Sequence, residues 1–245
     1  MASRSPSPAS DTSDSLQLDP STLALLDSFL ASKSDAQQRY AELEQAANGH
    51  EEKPMMSVDE YRAAFGEDWQ LSQFWYSTKF ATTLARSLRT LCDEDTSIAF
   101  LCCPTAFVAF QHTNPLPGAR LLEVDQRFHV LAPKHYIPYD LDEPDDIPDA
   151  LRGSVDIAVL DPPFLNETTN QKLAQTLKQI LRPNAKLVLI TSTSIETALR
   201  RIYAEPPLGP LRSTALAPEH GQLQNDFHCW GSWAGAEELG RGIDE

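Results

Sequence analysis

The chain has 245 residues, 41% of them hydrophobic, enough to bury the core of one ordinary domain with appendages. Its 35 acids against 20 bases give a formal charge of −15, which disfavours nucleic acid as a partner and favours a basic protein. No run approaches the ~18 uninterrupted apolar residues of a membrane helix, and MASRSPSPASDTSDS has no apolar signal core. A cytoplasmic protein without a membrane partner is expected, with a monomer as the default state.

Residues 1–20, rich in Ser, Pro and Asp, read as a disordered tail. Residues 21–66 read as a helix followed by a linker. Ser21 or Thr22 is placed to cap the helix, whose apolar stripe Leu23, Leu26, Phe29 and Leu30 suits packing on the body of the protein or on a partner. The stretch EQAANGHEEKPMM then looks like a connection.

Residues 67–236 change character, and 237–245 read as a C-terminal tail. Phe80, Leu84, Leu88 and Leu91 share one helical face. Four apolar runs follow: SIAFLCC, ARLLEVD, HYIPYD and VDIAVLD. A helix with Leu173, Leu177, Ile180 and Leu181 on one face leads to KLVLITS, then to SIETALRRIY and two late strand candidates around RSTALAP and NDFHCWGSW. Short apolar strands alternating with amphipathic helices predict an α/β fold, a mostly parallel sheet covered on both faces.

The cysteines Cys92, Cys102, Cys103 and Cys229 have neither disulfide-framework nor zinc-ligand spacing. No metal is expected, and Cys102 and Cys103 read as small buried hydrophobes.

Ligands of open α/β sheets bind beyond the carboxyl ends of the strands. Three strands here run into an acid there: Asp125, Asp140 and Asp161. Such a row suits a cofactor with ribose hydroxyls, an exocyclic amine and a positive sulfonium, which is S-adenosylmethionine. The turn after the first strand, Cys102 to Ala106, has no glycine. A dinucleotide, whose pyrophosphate normally needs a glycine turn, is therefore disfavoured.

The fourth strand ends in Asp161-Pro162-Pro163-Phe164. Two consecutive prolines fix the backbone, so the Asp161 carboxylate and the Pro162 carbonyl are held as paired acceptors for one amino group, with the Phe164 ring beside it. The plain alternative is a strand ended by a proline-rich turn.

DPPF resembles the [D/N]PP[Y/F] motif of amino-group methyltransferases, which act on adenine, cytosine, glutamine or lysine. DWQLSQFWYS (68–77), LLEVDQRF (121–128), YDLDEPDDIP (139–148), VLDPPFLNE (159–167) and LQNDFHCW (223–230) resemble, in the same order, the lysine methyltransferase family of translation elongation factor 1-alpha. Members of that family were once labelled adenine-specific DNA methyltransferases. The similarity covers about residues 20 to 235 and implies a Rossmann-like, seven-stranded class I methyltransferase sheet with an N-terminal helical extension. It further implies S-adenosyl-L-methionine as cofactor and elongation factor 1-alpha as protein substrate.

Carried over by position, the resemblance implies that Cys103, Pro104 and Thr105 form the cofactor turn. Asp125 takes the ribose, with Glu123 its nearest competitor; Asp140 meets the adenine amine and Leu141 packs on the ring. Asp161, Pro162, Pro163 and Phe164 hold the lysine amine, with Asp161 also on the cofactor side. Trp75 and Tyr76 close over the site, a core position being the alternative for Trp75, while Asn225 and Phe227 lie on the substrate side. Asp226 departs from the family's usual Glu. The acidic segment 140–146, with five acids and no base, is either a solvated loop or a steering patch for a basic substrate. Two other readings compete: adenine methylation of nucleic acid through the same motif, and a non-catalytic binding protein on a methyltransferase fold.

Overall fold

The computed structural model describes residues 19–47, 54–68, 70–221 and 226–243. The expected tail at 1–18, the central part of the expected linker and Asn225 lie outside the described residues.

The sheet forms from β1 (Ile98–Leu101), β2 (Ala119–Glu123), β3 (Tyr136–Pro138), β4 (Val155–Leu160), β5 (Leu181–Ser192), β6 (Arg212–Ser213) and β7 (Phe227–Gly231). Its order is β3-β2-β1-β4-β5-β7-β6, with β7 antiparallel to β5 and β6 and the other pairs parallel. This is the Rossmann-like class I methyltransferase sheet. Among the described residues no helix is long and apolar enough to cross a membrane.

Alternation along the strands separates two cores. Ile98, Phe100, Ile157 and Val159 face one layer, whereas Ala99, Leu101, Ala158 and Leu160 face the other. On the first side lie α2 (Val58–Ala64), α3 (Thr78–Arg89) and α4 (Pro104–Thr113); on the second lie α5 (Glu167–Ile180) and α6 (Glu196–Ile202).

Ser77 caps α3 by accepting from the Phe80 amide, and Phe80, Leu84 and Leu88 follow at one-turn spacing, all buried. Burial of Leu84 and Leu88 contributes about 1.5–3 kcal/mol each. Leu91 lies just past the end of α3 and packs against the same core. Leu181 does not extend the α5 face; it opens β5.

The N-terminal region differs from the sequence expectation in three respects. First, α1 runs from Pro20 to Ala47, and its cap is Asp19, whose carboxylate accepts from the Ser21 and Thr22 amides. Proline at the first helical position loses no needed hydrogen bond.

Second, the stripe Leu23, Leu26, Phe29 and Leu30 is exposed rather than packed on the body. It is Tyr40, farther along α1, that meets Phe65 edge-on at 5.9 Å. Third, residues 58–64, read as linker, form α2. A capping box joins Ser57 and Glu60 at its start, and Val58, Tyr61 and Phe65 enter the main core. At the other end, Leu239 is buried and Ala215 donates to its carbonyl, so the chain stays attached beyond 236.

Candidate active site

Register brings the carboxyl ends of the strands to one level. Leu101 pairs with Leu122 on one side and Leu160 on the other. The residues that follow, Cys102, Glu123 and Asp161, therefore stand side by side at the sheet edge. Hydrogen bonds hold the fan: Cys102 N donates to Leu122 O at 3.0 Å and Asp161 N to Leu101 O at 3.3 Å. Antiparallel pairing of Ser192 with Phe227 brings Phe227 to the same edge from β7.

The turn after β1 solves the missing-glycine problem. Cys102 itself adopts φ 56, the left-handed conformation glycine normally takes. Cys103 is then the N-cap of α4, with Pro104 at the first helical position. The Cys103 thiol donates to Val159 O, and burial keeps it well above the ordinary thiol range. Both cysteines are inert walls, one on each side of the sheet.

One cavity opens over this edge. Its floor includes Cys102, Cys103, Pro104, Thr105 and Glu123; Tyr139, Asp140 and Leu141 form one flank, and Asp161 to Leu165 the other. Residues Gln70 to Tyr76, His220 and Phe227 enclose it from above. Among the described residues, four carboxylates, Glu123, Asp140, Asp142 and Asp161, line it together with no lysine or arginine.

The structure separates the two candidate ribose acids. Glu123 faces the cavity, accepts from the Val124 and Asp125 amides, and is pushed up to about 7 mainly by burial. Asp125, the first choice from sequence, is absent from the lining. Its carboxylate caps the turn at Gln126–Val130, receives two nitrogens of Arg127 at 2.6–3.1 Å, and accepts from Gln73 at 3.2 Å. A carboxylate committed to a bidentate arginine has little left for a cofactor. Asp140 stands exposed on the rim and accepts from the Asp142 amide; Leu141 is half-buried beside it.

Asp161 is held from above. Tyr76 donates its hydroxyl to Asp161 Oδ2 at 2.6 Å, and burial, then this carboxylate, keeps the phenol well above its ordinary range. Pro162 is buried, Pro163 half-buried, and Phe164 is 48% exposed at the mouth. Trp75 points away from the cavity centre: its buried indole N–H donates to Phe65 O at 2.7 Å, and its ring packs on Tyr61 and Phe128. The core alternative is thus where this ring sits.

Two residues escaped the sequence reading. His220 lies against Phe227 and Tyr76 with Nε2 4.0 Å from Asp161 Oδ2. Gln73 bridges Asp125 and Arg127. A lone His in a loop carries no spacing signal, and Gln73, though inside the quoted stretch 68–77, gains its partners only in the folded chain.

A family model described as probable N6-adenine methyltransferase matches residues 67–235. The chain belongs to that family. Curated members similar to it over nearly their full lengths are named for lysine. Protein-lysine N-methyltransferase EFM5 of Saccharomyces cerevisiae is 33% identical, across 88% of this chain and 91% of the relative. EEF1A lysine methyltransferase 1 of Gallus gallus is 32% identical across 91% and 97%, and that of Homo sapiens 29% identical across 79% and 86%. With this family methyltransferase as an S-adenosylmethionine-dependent enzyme of the protein-lysine class, the residues present can be tested for fit. A ribose diol needs acceptors, and the buried Glu123 supplies them at the floor. A sulfonium needs negative surroundings, and the four carboxylates of the lining provide them. The cofactor fits.

Proposed function

We propose that this protein-lysine N-methyltransferase acts on translation elongation factor 1-alpha. The observation that carries the reading is the near full-length similarity to relatives named EEF1A lysine methyltransferase 1. The cationic nature of lysine agrees with it, since among the described residues the cavity lining carries four carboxylates and neither lysine nor arginine.

Roles follow from position. Glu123 takes the ribose hydroxyls, and the rim acid Asp140 the adenine amine, with Leu141 against the ring. Cys103, Pro104 and Thr105 shape the floor where the α4 N-terminus approaches. Asp161 and the Pro162 carbonyl accept from the lysine amine, while Tyr76 fixes the carboxylate that orients it. Phe164 presents its face to the methylammonium as it forms, a contact worth on the order of 0.5–2 kcal/mol. Phe227 borders the substrate side of the cavity.

When bound, the cofactor supplies an electrophilic methyl group. The chain's contribution is orientation and electrostatics: a rigid proline-framed acceptor pair that aims the nitrogen. Acids 140–146 extend the negative field around the mouth and favour approach of a basic protein.

The family description favours adenine as a second reading. A phosphate backbone meets no lysine or arginine in the lining, and the net charge of −15 opposes it further. The direct test is to incubate enzyme, cofactor and purified elongation factor 1-alpha and map methyl-lysine by mass spectrometry. A methylated lysine is expected; cofactor binding without methylation would reject this substrate.

A further inference from the structure

A lysine side chain with a pKa of about 10.4 reaches the site as an ammonium ion, and transfer requires its lone pair. Something must accept a proton. The groups around Asp161 differ sharply in their ability to do so. Tyr76 donates to Asp161, and burial keeps its phenol protonated. Cys103 donates to Val159 O and is likewise held protonated by burial. Asp161 is an anionic acceptor already engaged by Tyr76, and such an anion favours the ammonium over the amine.

His220 remains. Its side chain is only 3% exposed, borders the same cavity as Asp161 and Phe164, and brings Nε2 to 4.0 Å from Asp161 Oδ2. The ring is fixed between Phe227 at 4.3 Å and Tyr76 at 5.0 Å. The backbone is fixed as well. Tyr76 and His220 form an antiparallel bridge, Ser77 N donates to Glu219 O at 2.8 Å, and Gly221 N donates to Trp75 O at 3.3 Å. A buried imidazole held 4.0 Å from an amine-orienting carboxylate costs desolvation that a purely structural side chain would avoid. Imidazole is also the side chain that takes and releases protons near neutrality.

We propose that His220 is a catalytic proton acceptor of this enzyme, its Nε2 taking the proton that the substrate lysine sheds beside Asp161. The inference rests on the lysine reading above. One N–H bond of the ammonium breaks and an Nε2–H bond forms, giving an imidazolium. The freed lone pair then makes the N–C bond as the S–C bond breaks, and that electron pair stays on sulfur. Ammonium and sulfonium thus become methylammonium and imidazolium, with the positive charge conserved. Asp161 offsets the imidazolium until it releases its proton to water at the cavity mouth.

The groups facing the ring are few. Asp161 is the anion, Tyr76 is neutral, and Phe227 is apolar. Glu219 is turned to Ser77 Oγ at 3.0 Å, and the Arg62 guanidinium lies near Gly221.

The test has two arms. Histidine NMR titration of the free full-length enzyme, with His220→Gln for assignment, reads the imidazole without any substrate. The His220 resonances are expected to report uptake of a proton within the pH range of turnover and to respond to Asp161→Asn. An imidazole that takes up no proton in the pH range of turnover, or is blind to Asp161, overturns the proposal. The second arm compares turnover of the wild type and His220→Gln on elongation factor 1-alpha across pH. The variant is expected to fall about 10²–10⁴-fold, with cofactor affinity unchanged within about twofold. Its residual rate should rise about tenfold per pH unit as solution deprotonates the lysine. An unchanged rate and pH profile in a folded variant overturns the proposal. A wild type that leaves this factor unmethylated refutes the substrate reading instead, and the titration still decides the role of His220.

Discussion

The Tyr76 hydroxyl donates to Asp161 Oδ2 at 2.6 Å, joining residues 85 positions apart and tying the segment above the cavity to the proline-framed exit of β4. The bond gives Asp161 a fixed orientation and removes one of its lone pairs from competition. Tyr76→Phe should leave the fold intact at a cost of about 1 kcal/mol. Turnover should fall about tenfold or more, because the carboxylate that aims the amine is no longer held. Steady-state kinetics beside a thermal melt check this.

Glu123 makes cofactor binding pH-dependent. Burial raises its carboxyl to about 7, while hydroxyl donors prefer the ionised form. Affinity for S-adenosylmethionine should therefore climb as pH rises towards 7 and level off above it, with proton release on binding. Calorimetry in buffers of different ionisation enthalpy measures this directly.

The same shift predicts the stability of the free enzyme. A carboxyl whose folded pKa lies above its unfolded value contributes stability that is present below about 4.5 and lost as pH rises through about 7. Glu123→Gln should remove this loss and stabilise the free protein at pH 8, by up to the order of 3 kcal/mol. Asp125→Asn should behave in the opposite way. It breaks the Arg127 contacts and destabilises the fold by about 1–3 kcal/mol, yet leaves cofactor affinity nearly unchanged. Denaturation and binding measurements on the two variants separate the two acids.

Phe164 should matter to the substrate and hardly at all to the fold. Half-exposed at the cavity mouth, it can be changed to Ala within about 0.5 kcal/mol of wild-type stability. The loss of its ring should cost roughly 2–30-fold in kcat/KM for the protein substrate. Phe164→Tyr should be close to neutral.

Helix α1 should behave as two halves. Serine replacements at Leu26, Phe29 and Leu30 change exposed side chains that lie outside both cores and should leave Tm nearly unchanged. Tyr40→Ala removes the edge-on contact with Phe65 and should lower stability by about 1 kcal/mol. Differential scanning calorimetry distinguishes the two.

Much of the sheet was legible because fully buried parallel strands are written as uninterrupted apolar runs, as in IAFL of β1, and because DPPF announces the end of β4. The different surroundings of Glu123 and Asp125 were not legible. Both follow an apolar run, and only the pairing of Leu101 with Leu122 and the clasp of Arg127 on Asp125 set them apart. Arg127, two residues on, was a visible hint. Helix α2 was missed although its Ser57-Val58-Asp59-Glu60 capping box stood in plain view, because seven residues show too little periodicity. Trp75 and Tyr76 are neighbours with opposite fates, one in the aromatic core and one on Asp161. Only the path of the backbone between α2 and α3 decides that.

The most direct measurement of the central claim sets wild type against Asp161→Asn, with S-adenosylmethionine and purified elongation factor 1-alpha, and reads methyl-lysine by peptide mass spectrometry beside cofactor affinity by calorimetry. A methylated lysine is expected with the wild type, with its near-complete loss in Asp161→Asn and cofactor binding retained. Equal methylation by both proteins, or methyl groups found on adenine in nucleic acid and on no lysine, would contradict it.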